Sequence, residues 1–153
     1  MTHSFRYLED LAPGERWLSP SVTVSQADII AFGRLYDPQP MHTDADRAGG
    51  GPFKGLVASG WHMLALAMRL LVEGRSYGGT PVVGVGADDL RWLQPVRPGD
   101  VLTLERTITA IEPPAKEGGR GTVTSRLVMR NQRGETTMHV TTLSKVPSRP
   151  RTG

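Results

Sequence analysis

The hydrophobic pattern changes period partway along the chain. VLTLERTITAIE places apolar side chains at Leu102, Leu104, Thr107 or Ile108, and Ile111 between polar ones, the period-two alternation of a half-buried strand. GTVTSRLVMRN and ETTMHVTTLSKV follow, joined by Asn131-Gln132-Arg133-Gly134, and read as a hairpin. Residues 80–93 are also strand-like, and VRPGD from Val96 to Asp100 is a turn. Upstream the period is helical. Ser25 and Asp28 form an S-x-x-D capping signal ahead of Ile29, Ile30, Phe32 and Leu35, so a helix is expected over residues 26–35. It must stop by Asp37, because Pro38 disfavours helical geometry in the residue before it. WHMLALAMRLLVEG is apolar almost all round, which predicts a buried helix ending at Gly74 as a left-handed C-cap.

Between these helices lies DPQPMHTDADRAGGGPFKG, polar and rich in Gly and Pro, which reads as one long functional or mobile loop. Residues 5–20, with Phe5, Tyr7, Leu8, Leu11, Trp17 and Leu18 around Pro13-Gly14, form a strand or an irregular lead-in. The tail from Pro147 is expected to fray. One apolar helix followed by antiparallel strands defines an α+β class, a strongly curved sheet wrapped around that helix. Residues 1–146 make a single domain and residues 147–153 a disordered tail, in keeping with a length of 153 residues.

Composition removes several chemistries. With no cysteine there is no disulfide framework, thiolate metal site or cysteine nucleophile. The four histidines show no metal-ligand spacing such as H-E-x-x-H, so no metal is expected. Gly84-Val85-Gly86 opens no G-x-G-x-x-G, since position 89 is Asp, and Ser59 stands in no G-x-S-x-G elbow. The net charge is +3, and the 18 basic residues, most of them arginines, are scattered along the chain. That argues against nucleic acid and leaves room for an anionic small molecule. The N-terminus has no apolar run of signal-peptide length, and the longest apolar stretch is broken by Arg69, so neither secretion nor membrane insertion is expected. A cytoplasmic protein is the resulting expectation.

Two stretches carry candidate chemistry. In Asp37-Pro38-Gln39-Pro40-Met41-His42 a carboxylate and an imidazole are held by two prolines, which fix φ and suit a set relation between side chains. The same residues also fit a turn Asp and a partly buried hydrogen-bonding His, and the pattern alone leaves both readings open. In Gly55-Leu56-Val57-Ala58-Ser59-Gly60-Trp61, Ser59 is an N-cap candidate and Gly60 would leave an unpaired, approachable N–H at a helix start. Such a donor stabilises a developing oxyanion. A glycine there equally serves close packing of the helix on the sheet.

YDPQPMHTD followed by GPFKGLVASGWHMLALAMRLL, with QPVRPGDVLTLERTIT and LVMRNQRGETTMHVTTL later, resembles the MaoC-like dehydratase or (R)-specific enoyl-CoA hydratase family. The resemblance covers residues 22–146 and implies a hotdog fold and a homodimer in which two sheets join. It implies reversible hydration of trans-2-enoyl-CoA to 3-hydroxyacyl-CoA, with a CoA thioester as substrate and no cofactor. By position Asp37 and His42 match the family's catalytic pair, and Gly60 the residue whose N–H polarises the thioester carbonyl. Ser59 and Trp61 adjoin the site. Gln39 stands where the family has Asn, one methylene longer. Phe53, Trp61, Met63 and Leu64 are candidate walls of an acyl tunnel, and Lys54, Arg91 and Arg97 candidate partners for CoA phosphates. A hotdog thioesterase and a non-catalytic acyl-CoA-binding protein are the competing readings. Many hotdog thioesterases resemble one another in placing an acid within the central helix, whereas here the only helical acid is Glu73 at its far end, and the Asp37/His42 loop favours the hydratase.

Overall fold

A computed structural model of the chain describes residues 4–152. The alternation read from the C-terminal half becomes three long antiparallel strands, β5 (Val101–Glu112), β6 (Arg120–Arg130) and β7 (Thr136–Pro147). Leu102, Leu104 and Ile108 of β5, Val123, Leu127 and Met129 of β6, and Met138, Val140 and Val146 of β7 are all buried. Each fully buried aliphatic side chain of this size contributes about 1.5–3 kcal/mol to folding. A bulge between Ile108 and Ala110 resolves the doubtful phase of β5. The extra residue brings Ile111, three positions after Ile108, against the same apolar cluster.

The short strands β1 (Arg16–Leu18) and β2 (Val22–Thr23) precede these in the chain, as do β3 (Ser76–Gly79) and β4 (Val83–Trp92). The sheet runs β1-β5-β6-β7-β4, with β2 also on β5, and every pairing is antiparallel. Against its concave face lies α4 (Gly60–Glu73), whose Met63, Leu66, Ala67, Leu70 and Leu71 join Leu102, Leu104, Leu127, Met129, Met138 and Val140 in one core. This is the hotdog arrangement, an α+β fold with the helix inside the curl of the sheet.

Three expectations are revised. The long polar segment is not one loop, because it contains α2 (Pro40–Thr43) and α3 (Ala45–Ala48). Pro40 opens α2 at a position where its missing N–H costs nothing, and the Asp44 side chain caps α3 by accepting from the N–H groups of Asp46 and Arg47. Gly74 follows α4 with φ −79°, in the right-handed region, and the left-handed residue is Arg75 at φ 55°. Glycine is needed at 74 for a different reason: a Cβ there would sit 2.5 Å from the Trp17 ring. The helix is also buried on one side only, for Trp61, Met68 and Val72 are exposed. Within one chain the sheet covers a single face of it.

The first helix, α1 (Gln26–Tyr36), starts as expected, with the Ser25 hydroxyl accepting from the Asp28 N–H, and ends at the C-cap Asp37. The lead-in is fastened by an ion pair that the pattern did not announce. Arg106, on β5 between Leu104 and Ile108, is 1% exposed, binds Glu15 at 2.9 Å and the Ser76 carbonyl at 3.0 Å, and lies over the Tyr77 ring. Arg6 binds the same Glu15. At the other end, in the segment read as a tail, Arg149 pairs with Asp10 and donates its N–H to Glu9, and Arg151 pairs with Glu117.

Candidate active site

The site forms where the end of α1, the start of α4 and α2 converge. Gly33 of α1 permits the approach of α2, since a Cβ there would lie 2.5 Å from the His42 carbonyl oxygen. The extended segment before α4 is tied to α2 by Val57 N–H to Met41 C=O at 2.9 Å, and to the loop after β4 by Ala58 N–H to Val96 C=O at 2.8 Å. These contacts bring residues 37, 42 and 59–60 together across a gap in sequence.

His42 is buried, and its Nδ1 donates to the Val57 carbonyl at 2.7 Å. That bond places the proton of the neutral ring on Nδ1 and turns Nε2 toward Asp37, 3.3 Å from Oδ2. The Asp37 carboxylate is held at both oxygens. Gln39 Nε2 donates to Oδ1 at 2.8 Å, and the hydroxyl of fully buried Ser59 donates to Oδ2 at 2.8 Å. Burial pushes the Asp37 pKa up, but the hydrogen bonds from Gln39 and Ser59, together with the neighbouring imidazole, outweigh it and hold the carboxyl below its usual range. The longer amide of Gln39 therefore still reaches the carboxylate two residues before it.

Gly60 is the first residue of α4, so its N–H has no carbonyl one turn earlier within the helix to receive it. A Cβ at Gly60 would lie 2.3 Å from the Trp92 ring, so close packing already requires glycine. The oxyanion and packing readings are compatible, because Trp92 occupies the side-chain direction and not the N–H. Asp37, Gln39, His42, Phe53, Gly60 and Trp61 line one cleft of about 330 Å³. A second, more apolar groove of about 760 Å³ runs between α4 and β4, past Leu64, Met68 and Val72, and Trp61 lines both. Among the described residues, Asp37 and His42 are the only titratable groups lining the cleft. Met63 lines this cleft as well as joining the core, and Arg97 reaches its edge through a 2.9 Å bond to the carbonyl of the lining residue Phe53, whereas Lys54 and Arg91 are not among the residues that line it. Among the described residues no cluster of three His, Asp or Glu side chains could hold a metal ion, and no helix is long and apolar enough to cross a membrane.

Sequence reasoning missed the Val57 carbonyl, which sets the His42 tautomer, and Trp92, which closes the cleft over Gly60. Neither leaves a local signal: a carbonyl is common to all residues, and Trp92 arrives from β4 only through the strand order. Ser59 was recognised as a cap candidate and a neighbour of the site, but its bond to Asp37 was not.

A curled sheet around one helix, with an acid–imidazole pair beside the helix N-terminus, is a hotdog protein with a candidate acid–base site. The model of the MaoC-like domain matches residues 10–142, and the chain belongs to that family. It is 33% identical over 111 residues to the (R)-specific enoyl-CoA hydratase of Rhodospirillum rubrum, covering 72% of this chain and 74% of that protein. To the uncharacterized protein YdeM of Bacillus subtilis it is 31% identical over 126 residues, 82% of this chain and 88% of that one. The crystal structure of a MaoC-like dehydratase from R. rubrum superposes with a TM-score of 0.84 at 42% identity, covering 95% and 99% of the two chains.

Proposed function

We propose that this protein catalyses the reversible hydration of trans-2-enoyl-CoA thioesters to 3-hydroxyacyl-CoA. The observation that carries the reading is the 3.3 Å approach of His42 Nε2 to Asp37 Oδ2 in the cleft that also contains Gly60. In hydration, water oxygen bonds to C3, a proton goes to C2, and negative charge develops on the thioester oxygen. The Gly60 N–H faces that charge, and a donor of this kind is worth about 3 kcal/mol in the transition state. Asp37 and His42 Nε2 hold the water and carry the protons that leave it and return to C2. The acyl chain passes Trp61 into the apolar groove, and Arg97, bound to the carbonyl of Phe53 at the cleft, meets the phosphates of CoA.

The hydratase and dehydratase names of the relatives support this chemistry. A thioesterase is less well supported, since Glu73 is exposed at the far end of α4 and bound to Arg69. Nor does Gln39 favour a non-catalytic binder, because its amide holds the carboxylate. The protein acts as a homodimer: β4 is an edge strand of the sheet, and the neighbouring face of α4 leaves Trp61, Met68 and Val72 exposed and apolar.

The test follows the loss of enoyl-thioester absorbance with crotonyl-CoA and a longer trans-2-enoyl-CoA, with Asp37→Asn as control. Loss of absorbance without thiol release, abolished in the control, is expected. Thiol release would establish a thioesterase, and acyl-CoA binding with no turnover a binding protein.

A further inference from the structure

We propose that Ser59 is a positioning residue that fixes the Asp37 carboxylate relative to the Gly60 N–H. The inference rests on the hydratase reading for its kinetic consequence, though not for its geometry. Ser59 occupies the N-cap of α4, where a serine ordinarily accepts a hydrogen bond from the first turn. This one makes no such bond. Ser25 and Asp44, at the N-caps of α1 and α3, both do. The Ser59 hydroxyl is spent instead on Asp37 Oδ2 at 2.8 Å, 22 residues away in sequence.

The two bonds to the carboxylate are not equivalent. Gln39 is exposed, so water can take over its bond to Oδ1, while Ser59 is fully buried and no solvent can replace its hydroxyl. Ser59 also carries the peptide bond whose nitrogen is Gly60 N. Its side chain holds the end of α1 and its main chain begins α4, so a single residue sets the distance between the carboxylate and the oxyanion donor. The charged or titratable group that acts on Asp37 across this junction is His42, from α2; α1 and the start of α4 present none to it. Removing the hydroxyl leaves Oδ2 with His42 alone and lets the carboxylate turn away from the Gly60 side.

The experiment uses the full chain. Ser59→Ala is expected to lower kcat about 10- to 100-fold, the scale of a small misplacement of a reacting group, while KM for enoyl-CoA changes less than about twofold. The acid limb of its pH–rate profile moves up, because Asp37 loses a donor to its ionised form. The melting temperature falls at neutral pH, because the carboxylate loses a buried donor, and the fall shrinks as the pH drops through the Asp37 titration; a merely structural serine would lower it at every pH with the acid limb unmoved. Gln39→Ala moves the same limb less. Ser59→Gly, a residue well tolerated at N-caps, is a second hydroxyl-free variant should the alanine protein not fold.

Independently of turnover, 13C NMR of carboxyl-labelled aspartate, assigned through Asp37→Asn, follows Asp37 in the wild type and both variants. An upward shift of its titration in the hydroxyl-free proteins supports the proposal, and an unchanged titration overturns it. A wild type without enoyl-CoA turnover would sink the hydratase reading and leave the NMR titration to decide the role of Ser59. An active wild type matched in kcat and acid limb by Ser59→Ala would sink the role of Ser59 alone.

Discussion

His42 donates its Nδ1 proton to the carbonyl oxygen of Val57 at 2.7 Å, so the nitrogen that faces Asp37 is Nε2. The two side chains thus meet through the atoms that can exchange a proton, in a cleft lined by no other titratable group among the described residues. His42→Ala and Asp37→Asn should each lower kcat for enoyl-CoA hydration by about 10²- to 10⁴-fold, the usual contribution of a positioned acid or base. Steady-state kinetics on folded variants checks this. A variant within tenfold of wild type would remove that residue from the proton path.

Gly60 is constrained by Trp92 as well as by its N–H. A Cβ would lie 2.3 Å from the indole, so Gly60→Ala should destabilise the protein by about 1–3 kcal/mol through overpacking. In a Trp92→Ala background the same substitution should cost markedly less. Urea unfolding of the two single variants and the double variant measures the coupling, and additive costs would contradict the contact.

The Glu15–Arg106 pair makes an asymmetric prediction. Glu15→Ala strands a guanidinium that is 1% exposed, a loss of about 3 kcal/mol. Arg106→Met leaves Glu15 still bound to Arg6, and should cost less. Equal losses in urea unfolding would refute the asymmetry.

The same carboxylate ties stability to pH. Burial raises the Glu15 pKa, but the hydrogen bonds from Arg6 and Arg106 outweigh it, so the folded value lies below the ordinary 4.5. A group depressed in the folded state binds more protons when unfolded. Its contribution is therefore complete above the ordinary value and is lost as the pH falls through the folded one. The urea midpoint should fall on acidification through this range, and Glu15→Gln should flatten that part of the curve.

Met68 and Val85 are exposed, on α4 and on the edge strand β4. Under the proposed homodimer, Met68→Glu and Val85→Lys should each shift the protein from dimer to monomer in sedimentation velocity, since each puts a charge on an exposed apolar position of the proposed interface. A wild type that sediments as a monomer at micromolar concentration would refute the homodimer.

The sequence by itself determined the strands β5, β6 and β7, the span of α1, the position of α4 and the α+β class. In each, the local period and the capping or turn residues agree with the tertiary environment. It also marked Asp37, His42 and Gly60, because two prolines and a glycine before an apolar run are local features. What the tertiary structure decided is how those residues are used. Ser59 reads as a cap in sequence, and only the approach of α1 to α4 offers its hydroxyl a buried carboxylate instead. Gly74 reads as a left-handed cap, and only the arrival of the Trp17 ring makes its missing side chain a packing requirement. Arg106 breaks the apolar alternation of β5, and only the return of the lead-in brings Glu15 to it. Local periodicity records which side of an element is covered, whereas the partner of a buried polar group is set by chain crossings that no window of sequence contains.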